Sequence, residues 1–202
     1  MHHFFSMMFS LPAIIGHVSG VSDRPYRSEL KVTNGGPWGS WGEKQFCPSG
    51  SYAGGFQLKV ENPLIFGGDD TALNGIRLFC VDQSRNLRSV IESSVGGWGD
   101  WTGRSDTTSR SDTSRYFTAF QLQVESPQGS GDDTAANNIK LKYGPRDWDY
   151  IERMSAYWGD YGDWSPTCEG TGICGLQTRV EESQGSEGDD TALNDVIMFC
   201  CD

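Results

Sequence analysis

Three observations predict an all-β chain whose strand-rich units close around a shared axis. A set of motifs occurs three times in the same order, the mark of a repeat architecture. Apolar residues alternate with period two inside each copy, and no long helical period interrupts them. The composition, with 26 Gly and 12% aromatic residues, suits a folded, turn-rich β protein rather than a disordered chain. Units that each bury one face need a common interior, which closure about one axis supplies.

The chain opens with MHHFFSMMFSLPAIIGHVSG, which carries no acidic residue, Lys or Arg. Its apolar run Phe4–Ile15 is too short to cross a bilayer, and Val18-Ser19-Gly20 follows with residues small enough for signal-peptidase cleavage after Gly20. The expectation is a signal peptide over residues 1–20, a single domain over residues 21–202 and a secreted, extracellular location. No later stretch is long and apolar enough to span a membrane as a helix. A domain of this size buries roughly 70% of the surface its unfolded chain exposes. All three histidines (His2, His3 and His17) precede the cleavage point, so the processed chain would hold none. That excludes His-based triads, His zinc ligands and a His general base.

The charge balance narrows the partners. With 27 carboxylates against 16 Lys and Arg, the net charge is −11. A nucleic-acid binder displaces phosphate counterions with basic side chains, and attraction to anionic lipid needs the same, so neither partner fits.

The three copies run over about residues 28–80, 87–143 and 150–201. The first holds GGPWGSW (Gly35–Trp41), GGFQLKVE (Gly54–Glu61), GDDTALN (Gly68–Asn74) and GIRLFC (Gly75–Cys80). The second holds GGWGDW (Gly96–Trp101), AFQLQVE (Ala119–Glu125), GDDTAAN (Gly131–Asn137) and NIKLKY (Asn138–Tyr143). The third holds WGDYGDW (Trp158–Trp164), GLQTRVE (Gly175–Glu181), GDDTALN (Gly188–Asn194) and DVIMFC (Asp195–Cys200).

Leading strands are expected at Arg27–Thr33, Ser89–Ser94 and Tyr150–Met154. In the strand before each acidic turn, Phe56/Leu58/Val60, Phe120/Leu122/Val124 and Leu176/Thr178/Val180 share one face, with Gln57, Lys59 and Glu61 on the other. In the strand after it, Ile76/Leu78, Ile139/Leu141 and Val196/Met198 face inward. Alternation of this kind belongs to half-buried antiparallel strands. The Gly-Asp-Asp-Thr stretch reads as a turn capped by its own short acceptors, with Asn74-Gly75 and its counterparts tolerating positive φ before the next strand. An EF-hand calcium loop needs alternating ligands and a closing Glu, and that spacing is absent.

The threefold order W-G-x-W, G-F-x-L-x-V-E, G-D-D-T-A-x-N and F-C, ending in FCCD, resembles the vitelline membrane outer layer protein family over roughly Leu30–Asp202. The resemblance implies a β-prism of three Greek-key sheets with pseudo-threefold symmetry, in a secreted protein of egg coats and other extracellular layers. It also implies a carbohydrate-related role, in a fold shared with jacalin-like lectins. From the residues alone, a β-trefoil competes with the prism.

Six cysteines behind a signal-like segment suggest an oxidised framework. Cys47 and Cys80 bracket the first copy, and Cys168 and Cys200 hold comparable places in the third. The expected pairs are Cys47–Cys80, Cys168–Cys200 and Cys174–Cys201, with the last two exchangeable because Cys200 and Cys201 are adjacent. No metal site and no cofactor are expected, since Cys168 and Cys174 lack zinc-knuckle spacing. The family usually has eight cysteines. The missing two belong to the second copy, where Tyr143 stands at a strand end and no Cys falls between Trp101 and Phe120. The tract GRSDTTSRSDTSRY (Gly103–Tyr116) reads as a solvated, mobile loop, with a partner-binding or O-glycosylated segment as the lesser reading, and no Asn-x-Ser/Thr sequon occurs.

Six of the seven tryptophans lie in the Trp-Gly motifs: Trp38, Trp41, Trp98, Trp101, Trp158 and Trp164. Each indole either covers a sheet end while Gly permits a bend, or stands open to stack on a sugar ring. In the third copy Trp158-Tyr161 and Tyr161-Trp164 both match the earlier pairs. These tryptophans, with Asp69, Asp132 and Asp189, are the candidate glycan contacts. The leading functional expectation is a noncatalytic constituent of an extracellular coat, with glycans or coat proteins as partners. Two alternatives stand beside it. One is a glycoside-active enzyme acting on chitooligosaccharides through paired carboxylates, although near-identical copies offer no asymmetry between acid and base. The other is a secreted defence protein acting at cell surfaces. No catalytic residue is assigned.

Overall fold

The computed structural model describes residues 20–21, 23–61, 73–107, 116–125, 136–153, 158–182 and 193–202. Those residues contain strands and no helix. In chain order the strands are β1 (Ser28–Leu30), β2 (Ser40–Trp41), β3 (Gln45–Phe46), β4 (Tyr52–Val60), β5 (Leu73–Val81), β6 (Leu87–Glu92) and β7 (Asp100–Trp101). There follow β8 (Ser105–Asp106), β9 (Ala119–Val124), β10 (Ala136–Lys142), β11 (Tyr150–Glu152), β12 (Asp160–Tyr161), β13 (Gly172–Val180) and β14 (Leu193–Cys201). The expected signal peptide lies outside the described residues except for Gly20. Val21 pairs with Phe46 in an isolated antiparallel bridge.

The strands form three antiparallel sheets. The first has the order β6-β5-β4-β7, with β8 also on β4; the second is β11-β10-β9-β12. The third is β1-β14-β13-β2, with β3 also on β13. In each, a long hairpin is flanked by a strand beside its second member, and a short strand returns to lie beside its first. That is the Greek-key order, and three such sheets make the prism.

The sheets do not coincide with the sequence copies. Hairpin β4–β5 of the first copy is completed by β6, β7 and β8 of the second, and β9–β10 by β11 and β12 of the third. Hairpin β13–β14 is completed from the start of the chain, with Ser28 opposite Cys200 and Leu30 opposite Met198. Each copy therefore finishes its predecessor's sheet, and the N-terminal strand closes the ring. The leading strands are shorter than expected in two copies and shifted toward the N-terminus in the other, because the chain must leave the ladder to reach its Trp-Gly turn.

The seam at β1 and β14 carries extra ties. The Arg27 amide donates to the Cys200 carbonyl at 2.7 Å, and the Arg27 guanidinium pairs with Asp202. Arg24 is buried, and its Nη1 donates to the carbonyls of Cys47 (3.1 Å), Pro48 (3.2 Å) and Ser51 (2.8 Å). A buried guanidinium is tolerable only when its donors are satisfied in this way.

Period-two alternation places the core where the sequence puts it. Phe56, Leu58, Ile76, Leu78, Phe120, Leu122, Ile139, Leu141, Leu176, Val196 and Met198 are fully buried in one continuous cluster drawn from all three sheets. Each such side chain contributes roughly 1.5–3 kcal/mol on burial. Thr178 is the polar exception on this face. Its hydroxyl donates to the Ser94 carbonyl at 2.6 Å, and its amide donates to the Ser93 hydroxyl at 3.2 Å.

Those bonds are one side of a circuit between sheets. The tail of β6, in the first sheet, reaches β13 in the third. The tail of β1, in the third, reaches the second through Asn34 Nδ2 donating to the Leu122 carbonyl at 2.9 Å. The tail of β11, in the second, returns to the first through Arg153 donating to the Ser105 hydroxyl at 3.3 Å.

The disulfides are Cys47–Cys80, Cys168–Cys200 and Cys174–Cys201. The first joins the end of β3 to β5, and the second ties the edge of the second sheet to β14, so both link different sheets. Cys174–Cys201 staples β13 to β14. The Thr107 amide donates to the Gly54 carbonyl at 3.1 Å, as the Cys47 amide does to the Cys174 carbonyl at 2.7 Å and the Cys168 amide to the Thr118 carbonyl at 2.8 Å. Thr107 thus occupies the second copy's cysteine slot, and both it and Tyr143 are buried. This corrects the reading of the whole Gly103–Tyr116 tract as a solvated loop. Ser105–Asp106 pairs with β4, and Thr107 and Tyr116 are buried, while residues 108–115 lie outside the described set.

Replacing Thr107 and Tyr143 together by Cys is expected to form a fourth bridge and to stabilise the fold by roughly 2–4 kcal/mol. Thiol titration with urea unfolding checks this, and two persistent free thiols would contradict it.

Candidate functional site

The Trp-Gly motifs build the same corner on each sheet. Gly39, Gly99 and Gly159 have φ of 77°, 79° and 76°, in the left-handed region open to glycine. Each lies against the backbone where a long strand ends. A Cβ on Gly39 would sit 2.3 Å from the Val180 carbonyl, on Gly99 2.4 Å from that of Val60, and on Gly159 2.3 Å from that of Val124. The Trp-Gly and Val-Glu motifs are therefore two halves of one contact.

The outward polar residues of the long strands grip this corner. Gln57 Nε2 donates to the Thr102 carbonyl at 2.7 Å, Gln121 to Gly162 at 2.5 Å and Gln177 to Gly42 at 2.8 Å. Two positions on, Lys59 donates to the carbonyls of Gly96 (2.7 Å) and Gly97 (3.1 Å), Gln123 to Gly159 (2.9 Å) and Arg179 to Gly39 (3.1 Å). The sequence placed these side chains on the outer face but did not show what they hold.

Asn74, Asn137 and Asn194 do not sit in positive φ before a strand, as expected from sequence; they are fully buried within β5, β10 and β14. Val60 pairs with Leu73 and Lys59 with Gly75, so Asn74 is the extra residue of a β-bulge; Asn137 and Asn194 repeat this. The bulge frees the backbone carbonyl from the ladder. The Gly96 amide donates to Asn74 and the Gly36 amide to Asn194, each at 2.7 Å, anchoring the segment that leads into the Trp-Gly turn.

The corner divides its aromatics into two kinds. Trp38, Trp98 and Trp158 are 57%, 52% and 59% exposed. The second aromatic lies on the sheet. The Arg77 guanidinium sits 3.9 Å over Trp101 and is ion-paired with Glu92 at 2.8 Å. Tyr161 holds this place in the third copy, since Asp160–Tyr161 forms β12. Lys140 stands 3.6 Å over its ring, and its hydroxyl donates to Glu152 at 2.6 Å. Burial, reinforced by that bond, pushes the Tyr161 phenol well above its usual range, so it stays protonated. Trp164 leaves the matching set and packs, half-buried, against Tyr150.

Trp41 is half-exposed and walls a surface groove of about 420 Å³, lined also by Gly39, Ser40, Ser94, Val95, Val180 and Glu182. Asp69, Asp132 and Asp189 lie outside the described residues, in the segments joining each long hairpin. Among the described residues no group of His, Cys, Asp and Glu could hold a metal ion.

The structure is thus a disulfide-stapled β-prism with one rigid aromatic corner on each sheet. Residues 28–202 match the Vitelline membrane outer layer protein I family. The chain belongs to that family. It is 46% identical to the Vitelline membrane outer layer protein 1 homolog of Homo sapiens and 45% identical to that of Mus musculus, each over 177 residues. Each alignment covers 87% of this chain and 84% of the relative.

Two substitutions probe the corner's construction. Gly99→Ala is expected to destabilise the fold by roughly 2–5 kcal/mol through strained φ and overlap with Val60. Gly97→Ala, which meets nothing within 4 Å, is the urea-unfolding control and should change little.

Asp195 supplies the other test. Its carboxylate accepts from the Val196 amide at 2.7 Å, as Asn138 does from Ile139 at 2.8 Å, and Gly35 packs directly against it. Burial holds this acid above the ordinary aspartate range, against the pull of the Val196 amide, Arg179 and Lys31. Its ionisation therefore opposes folding at neutral pH, and the effect vanishes below the unfolded pKa of about 3.9. Asp195→Asn is expected to raise stability at pH 7 and not at pH 3; an equal gain at both would contradict the assignment.

Proposed function

We propose that the protein is a secreted, noncatalytic structural constituent of an extracellular coat such as an egg envelope, and that it binds glycans through its Trp-Gly corners. The carrying observation is the set of three indoles, each more than half exposed, on turns locked by glycine contacts and side-chain hydrogen bonds. A flat indole face suits the apolar face of a pyranose, while nearby hydroxyls, amides and carboxylates suit its ring hydroxyls. A rigid mount limits the ordering cost of binding. Membership of the family, whose name and relatives' names refer to the outer layer of the vitelline membrane, supports the coat assignment. The disulfide set and the signal-like first twenty residues support secretion.

Glycan-array binding and incubation with N-acetylglucosamine hexamer test this together. The expected result is retention of at least one neutral oligosaccharide with unchanged hexamer length. Altered chain lengths would establish catalysis instead, and absence of binding across the array would refute the glycan reading.

A further inference from the structure

We propose that the three Trp-Gly corners are three separate, equivalent binding points for uncharged pyranose chains, so that one molecule joins three glycan segments as a node in the coat. This rests on the glycan reading above and adds to it number, independence and ligand charge.

The number follows from closure. β1 pairs with β14 in the register that β6 keeps with β5 and β11 with β10, with Glu29, Val90 and Tyr150 opposite Phe199, Phe79 and Lys142, so the ring of sheets closes on a threefold repetition. That repetition gives Trp38, Trp98 and Trp158 equivalent places, each beside the short strand that pairs with its own sheet's long strand. The glycine of each turn has the same left-handed φ and the same contact with a strand end. Their exposures are similar enough for each indole to offer a comparable face.

Independence follows from the wiring. The corner at Trp38 is held by Gln177 and Arg179, that at Trp98 by Gln57 and Lys59, and that at Trp158 by Gln121 and Gln123. No one of these side chains serves two corners, so occupying one need not move another. The ligand's charge follows from the neighbours. Asp100 and Asp160 are exposed beside Trp98 and Trp158, where Ser40 stands beside Trp38. Lys59 and Arg179, the cations at the Trp98 and Trp38 corners, are turned onto the carbonyls of Gly96, Gly97 and Gly39, so the field of a chain of net charge −11 disfavours sialic or uronic acids and leaves neutral or N-acetylated hexoses. Three weak points on one body gain avidity for a repeating polymer, by about 10²–10⁴-fold, without further contacts.

The test uses the full folded chain labelled with 5-fluorotryptophan, titrated with N-acetylglucosamine hexamer and cellohexaose by ¹⁹F NMR and calorimetry. Resonances are assigned from the single variants Trp38→Ala, Trp98→Ala and Trp158→Ala. The expected result is three shifting indole signals and a stoichiometry near three, falling by one with each variant. The triple variant should lose binding while keeping its urea-unfolding midpoint and the ¹⁹F shifts of its four remaining tryptophans. A stoichiometry of one, or a single shifting indole, would overturn the node while leaving glycan binding intact. Array binding that survives the triple variant, or that is confined to acidic sugars, would also overturn it. No binding to any glycan would instead remove the reading on which it rests.

Discussion

The structure depends on the mutual burial of three apolar sheet faces. A small antiparallel sheet with one oily side is not a stable object by itself, and among the described residues each inner face is covered by the other two. Phe56, Phe120 and Leu176 belong to different hairpins and to one core. Exchange of edge strands strengthens this dependence, because a copy separated from its successor lacks both an inner partner and the strands that flank its hairpin. Two disulfides and the circuit through Ser94, Asn34 and Arg153 run between the same sheets, so cross-links and core act at the same junctions.

With the interior fully committed to packing, the outer face and the strand ends are free to vary. The aromatic corners show how that freedom is used. Glycine against a peptide carbonyl is the invariant part, since any side chain there would overlap the strand end. Around it the holding residue changes from Lys59 to Gln123 to Arg179, all of them able to donate to a carbonyl. The second aromatic is tied down by a cation and a carboxylate in two sheets, leaving the first indole as the exposed element. The second copy shows the same tolerance at its missing bridge, where Thr107 keeps the backbone bond of a cysteine slot without the sulfur.

Much of this was legible in the residues. Phe56, Leu58, Ile76, Leu78 and their counterparts announced the inner face because alternation is a property of the strand itself. The Trp-Gly and Val-Glu motifs were visible as repeats, but not as two sides of one contact, since they lie far apart in the chain. The asparagines after the acidic turns misled. Asn is at home in positive φ, yet here it supplies a bulge, and only strand pairing distinguishes the two. Trp158 and Trp164 both fitted the spacing, and β12 selected Tyr161 as the packed aromatic by pairing it with Gln123.

What the sequence by itself determined is the all-strand class, the threefold repetition and the identity of the buried face, because each is encoded in spacing within a few residues. Which copy completes which sheet, which indole remains exposed and which carbonyl each polar side chain grips were decided only in the tertiary structure. Those outcomes depend on register and approach between segments distant along the chain, and no local pattern carries that information.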